Sequence, residues 1–122
     1  MSADQSVEGS LSVRVDQFTI QVAQFFASLP KRGEVAGIAT RFRQVGLRVG
    51  ELYYDATDAV SSSEYIMLIE AAIQQLDAMV EWLKELMQLG AVDTSEAVLL
   101  LQDADTLDTM LKEKVKEAQN RD

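Results

Sequence analysis

Residues 63–89 read SEYIMLIEAAIQQLDAMVEWLKELMQL. Within this stretch Tyr65, Ile69, Ala72, Leu76, Met79, Leu83 and Leu86 recur at alternating spacings of four and three. That is the apolar seam of a long helix packed lengthwise on other helices. A second row, Ile66, Ile73, Val80 and Met87, runs beside it. A further flank carries Ala71, Ala78 and Trp82. The apolar arc therefore covers more than half of the helix circumference, at ~100° per residue. Such breadth exceeds what one bundle core uses and points to packing partners beyond the chain itself.

The neighbouring segments repeat the pattern. Leu11, Val15, Phe18, Val22, Phe25 and Leu29 form a seam for a first helix, with Phe26 widening it. Ser10 or Ser12 is a candidate cap, and residues 1–9 read as a polar, acidic, disordered leader. On the opposite face Val13, Ile20 and Ala27 make a sparse apolar row. Leu29-Pro30 ends this helix, because proline disfavours helical geometry in the residue before it. A second helix, from about Glu34 to Thr57, has the seam Val35, Ile38, Phe42, Val45, Val49, Leu52 and Ala56. Ala39, Gly46 and Tyr53 are its companion row. Gly37, Gly46 and Gly50 each cost about 1 kcal/mol relative to alanine inside a helix, so they imply close backbone approach by a neighbour or a kink.

Ser61-x-x-Glu64 is a capping box that starts helix three, and Leu89-Gly90 stops it. Asp93-x-x-Glu96 restarts the chain as helix four. Its apolar set is Val98, Leu100, Leu101, Ala104, Leu107, Met110, Leu111, Val115 and Ala118. Lys112, Lys114 and Lys116 complement its dipole near the C-terminus, and residues 120–122 are expected to fray. Four helices joined by short loops give an all-α, antiparallel up-down-up-down four-helix bundle over residues 10–119.

Composition narrows the chemistry. The chain has 122 residues, is 48% hydrophobic, and contains neither cysteine nor histidine. The usual thiol nucleophile, general base and soft-metal ligands are therefore missing. Tyr53, Tyr54, Tyr65 and the carboxylates do not fall at spacings tied to a reaction, and Glu51, Asp55 and Asp58 lack calcium-loop spacing. The reading is of a non-enzyme with no cofactor and no metal. No apolar run reaches the roughly 18 residues that a membrane span needs, and a cytoplasmic location is the default expectation.

The formal net charge is −9, from 11 basic and 20 acidic residues, which argues globally against binding a phosphate backbone. Yet Lys31, Arg32, Arg41, Arg43 and Arg48 lie close in sequence with Glu34 as the one intervening acid. They either form a nucleic-acid patch or pair with acids on neighbouring helices or subunits.

The order of features also carries a resemblance. Phe25-Phe26-x-x-Leu29-Pro30 closes helix one. Arg41-Phe42-Arg43-Gln44-Val45-Gly46-Leu47-Arg48 lies in helix two. Ser63-Glu64-Tyr65 starts helix three, Leu89-Gly90-Ala91-Val92 follows it, and helix four ends near Met110-Leu111. From Val13 to Val115 the chain resembles the bacterial four-helix-bundle family of proteins encoded by intervening sequences in large-subunit ribosomal RNA genes. The accessory variability determinant proteins of diversity-generating retroelements are relatives of that family. The resemblance implies a four-helix bundle assembled as a homopentamer, with no enzymatic activity. It also implies that the basic retroelement branch binds nucleic acid. This chain departs from that branch in net charge. It also replaces the family's Ser-Ile-Pro-x-Asn-x-x-Glu-Gly stretch at Arg48, Val49, Gly50, Leu52, Asp55 and Ala56, where Asp55 alone keeps the charge of its counterpart.

The functional expectation is a homo-oligomeric interaction or scaffold protein. Its interface residues are Val13, Ile20, Ala27, Met67, Ala71, Ala78 and Trp82. The alternative is a nucleic-acid or ribonucleoprotein accessory role through the basic part of helix two.

Overall fold

The computed structural model describes residues 3–121, with side-chain packing from residue 10 onward. Four helices make up the chain: α1 (Ala3–Ala27), α2 (Gly33–Thr57), α3 (Ser62–Gln88) and α4 (Thr94–Arg121). They form a ring in sequence order. α2 and α3 pack most closely, α4 returns loosely to α1, and the diagonal pairs make no close backbone contact among the described residues.

Side-chain register fixes the directions. Phe25 on α1 meets Phe42 on α2, with ring centroids 5.5 Å apart. Farther along, Ser12 Oγ shares a 2.9 Å hydrogen bond with the Tyr53 hydroxyl. Rising numbers on α1 thus meet falling numbers on α2, so the pair is antiparallel. The short turns that follow give the up-down-up-down bundle that the spacing predicts.

Ile69, Ala72, Leu76, Met79, Leu83 and Leu86 of the α3 seam are buried, and Tyr65 at its start is half-buried. All six α1 seam residues from Leu11 to Leu29 are buried with them. Each fully buried Leu, Val or Phe stabilises the fold by roughly 1.5–3 kcal/mol relative to exposure.

The helix ends follow local chemistry. The Glu64 amide donates to Ser61 Oγ at 3.1 Å, while Val60 N–H donates to the Glu64 carboxylate. The reciprocal bond of the capping box thus comes from one residue earlier than its usual form. At the other end of α3, Ala91 N–H reaches Leu86 O and Gly90 N–H reaches Met87 O. That is a Schellman stop, and Gly90 supplies its left-handed backbone at φ 67°. Asp93 Oδ1 accepts from the Glu96 amide and caps α4.

Two of the three α2 glycines mark close approach. A Cβ on Gly46 would lie 2.8 Å from Val22 Cγ1 and 3.3 Å from Met79 Cγ, so α1 and α3 both close on this position. A Cβ on Gly50 would lie 2.8 Å from Thr19 Cγ2. Gly37 faces open space, so its predicted packing role is not met.

Other expectations are corrected. α1 begins at Ala3, so the expected leader is helical from that residue, and Ser10 and Ser12 lie inside the helix. Met1 and Ser2, at the start of that leader, lie outside the described residues. At the C-terminus α4 continues through Arg121, while Asp122 lies outside the described residues. Val98 is exposed, and Ala97 takes the inner position one residue earlier. Lys114 is 7% exposed, because it falls on the inner stripe with Leu111, Val115 and Ala118. Its ammonium donates to Glu117 at 3.3 Å rather than projecting from the helix end.

Candidate interaction surfaces

The bundle separates the sequence-predicted interface residues into two faces. Val13, Ile20 and Ala27 point outward from α1, opposite its buried seam, with Val13 54% and Ile20 56% exposed. From Gln17 to Pro30 the chain carries no charged residue, and this face has Gln17, Gln21 and Gln24 as polar neighbours, with Asp16 between Val13 and Ile20 as its one acid. Charge depletion of this kind characterises the centres of protein interfaces.

Met67, Ala71, Ala78 and Trp82 lie on α3, diagonally across the ring from α1. Met67 is 60% exposed. Ala71 and Trp82 are half-buried and pack against the core, and Ala78 is half-buried. This flank therefore serves the bundle in part, and it does not join the α1 row in one patch.

The five candidate basic residues are also divided. Lys31 Nζ donates to Phe26 O at 2.9 Å and to Leu29 O at 3.2 Å, which closes the end of α1. Its ammonium lies 4.3 Å from the Phe26 ring centroid, and the Arg43 guanidinium lies 5.1 Å from the same centroid. Arg41 stacks instead on Trp82, toward α3. Arg48 pairs with Glu51 at 2.9 Å on its own helix, both side chains being well exposed. Such a pair contributes at most about 1 kcal/mol. Arg32 occupies the N-cap position of α2 without a side-chain bond to the helix. Among the described residues Arg32, Arg41 and Arg43 have no carboxylate within ion-pair distance. Pairing of these arginines with acids on neighbouring helices is thus not what the bundle provides.

The hydroxyls of Tyr53 and Tyr54 are engaged structurally. Tyr53 is buried against Ser12. Tyr54 donates to Asp16 Oδ1 across α1 and α2. That bond, with some desolvation and the Asp16 charge, pushes the phenol up to about 12. The hydrogen bond of Lys112 to Asp108 likewise raises the Lys112 ammonium above its ordinary value.

One surface went unread in the sequence. Leu99 is 61% exposed and, with Phe25, Leu100, Glu96 and Asp103, lines a groove of about 270 Å³ between α1 and α4. Its signal was available, since Leu99 falls off the Ala97-Leu100-Ala104-Leu107 stripe. A second cleft, of about 400 Å³, lies between the α2–α3 turn and α4, beside Lys114 and Tyr65. No helix among the described residues is long and apolar enough to cross a membrane.

Fold and surface together define an antiparallel four-helix-bundle protein with an exposed apolar face on its first helix. Among solved structures it is similar to a protein with unknown function from the S23 ribosomal protein family of Bacteroides thetaiotaomicron. The TM-score is 0.80 at 15% identity, over 87% of this chain and 98% of that one. At that identity the likeness is one of fold. No family model matches the chain, and no curated protein matches it.

Proposed function

We propose that this protein is a non-enzymatic interaction module that works as a homo-oligomer. The subunit number, five, follows the ribosomal RNA intervening-sequence family it resembles. The observation that carries this reading is the exposure of Val13, Ile20 and Met67 on a molecule whose seams are already filled. Removing such side chains from water contributes about 25 cal/mol per Å² of apolar area, and α1 adds no charge to oppose it between Gln17 and Pro30. The test is sedimentation velocity on a Val13→Glu/Ile20→Glu variant, with circular dichroism alongside. Loss of assembly at unchanged helicity is expected. A variant that sediments as the wild type does would overturn the reading.

A second reading rests on a different observation, the lack of carboxylate partners for Arg32, Arg41 and Arg43 among the described residues. These arginines would then meet nucleic acid, in line with the retroelement relatives. Binding to RNA and DNA across a salt series tests it. Counterion release favours binding most at low salt, so absence of affinity there rejects it.

A further inference from the structure

We propose that the self-association is head-to-tail: the outer face of α1 in one copy docks on the outer face of α3 in a second copy. The inference rests on the homo-oligomer reading above and assigns its two partner surfaces. Three features of the bundle support it.

The first is placement. The exposed apolar faces of α1 and α3 sit on diagonal helices, so neither can cover the other within one chain. A contact that uses two different surfaces of identical chains is heterologous, and it closes into a ring when the rotation between copies allows.

The second is register. Gly46 marks a common level of the bundle, with Val22 on one side and Met79 on the other. Ile20 lies half a turn from Val22, and Ala78 is next to Met79. In an up-down-up-down bundle α1 and α3 run in the same direction. Copies related by rotation about an axis along the helices therefore bring Ile20 level with Ala78 and parallel to it.

The third is charge. On α3, spacings of three and four group Met67 and Ala78 with Glu70, Glu81 and Glu85, and Lys84 is the one cation of that helix. The α1 face carries one acid, Asp16, held by the Tyr54 hydroxyl and level in this register with Gln74 of α3, and its α2 edge carries Lys31 and Arg43 stacked on Phe26. For chains of net charge −9, setting α3 against α3 would oppose like carboxylates. Setting α1 against α3 opposes them to a row with one acid and to two cations, and complementary potentials of this kind fix register and exclude wrong pairings.

The experiment uses the full chain and two exposed, fold-neutral changes, Ile20→Glu and Met67→Glu, checked for helicity by circular dichroism. Each variant alone is expected to sediment as a monomer. The equimolar mixture at high micromolar concentration is expected to form dimers and nothing larger. It retains one intact contact, between the α1 face of Met67→Glu and the α3 face of Ile20→Glu. Arg43→Glu is expected to weaken assembly at least tenfold, and Arg43→Glu/Glu81→Arg to regain it.

Failure has separable forms. A monomeric wild type overturns the homo-oligomer itself. A wild-type oligomer with Met67→Glu fully assembled overturns head-to-tail docking alone and leaves α1 against α1. A mixture that stays monomeric overturns it as well. So does an Arg43→Glu variant that assembles normally but loses RNA binding, since that arginine would then face nucleic acid.

Discussion

The Arg41 guanidinium lies over the Trp82 indole ring, 5.3 Å from its centroid, and so joins the outer edges of α2 and α3. The indole is half-buried, with its inner side on the core. A cation over an aromatic face at a partly exposed site contributes about 0.5–1 kcal/mol. Trp82 is the one tryptophan of the chain, so its emission reports this contact directly. Arg41→Ala is expected to shift the emission to the red and to lower stability by about that amount, with Arg41→Lys between the two. Unchanged emission in Arg41→Ala would show that the stack is not populated in solution.

The α2 glycines make a contrasting pair. Gly37→Ala places its methyl in open space, and it is expected to stabilise the chain by up to about 1 kcal/mol through helix propensity. Gly46→Ala drives its methyl to 2.8 Å from Val22 Cγ1. Overpacking of this kind costs typically about 1–3 kcal/mol, which outweighs the propensity gain. Denaturant unfolding of both variants checks the opposite signs.

Tyr54 carries a pH signature. Its phenol is raised from 10.0 to about 12, chiefly by the hydrogen bond to Asp16. Between those values the folded chain holds the proton more tightly than the unfolded chain does. The stabilisation is therefore complete below pH 10 and is lost as pH climbs toward 12. In a phenolate absorbance titration, Asp16→Asn is expected to bring one midpoint back toward 10, and Tyr54→Phe to remove the late step.

The turns are testable by their caps. Ser61→Ala removes the acceptor of the Glu64 amide and is expected to cost about 1 kcal/mol. Gly90→Ala forces a side chain into the left-handed backbone of the Schellman stop, at a cost of roughly 1 kcal/mol. Thermal melts of the two variants, and additive losses in the double variant, check both.

Where a residue's role was set by its neighbours along the chain, it was legible. The inner seam from Ile69 to Leu86 and the caps at Ser61, Gly90 and Asp93 are local patterns, and the fold reproduces them. Roles set by a second helix were less so. Spacing alone does not separate Gly46, closed in by Val22 and Met79, from Gly37, which faces open space. Lys114 lies on the apolar stripe of α4, where its charge suggests an exposed position but the packing of α4 buries it. The α1 row and the α3 flank were both visible as surplus apolar surface. Their separation on diagonal helices is a property of the assembled ring.

Light scattering on the unmodified full chain at micromolar concentration bears most directly on the proposed self-association. A mass several times the 13.5 kDa of one chain is expected, near five-fold if the family resemblance extends to stoichiometry. A mass of 13.5 kDa, unchanged as concentration rises, would contradict it.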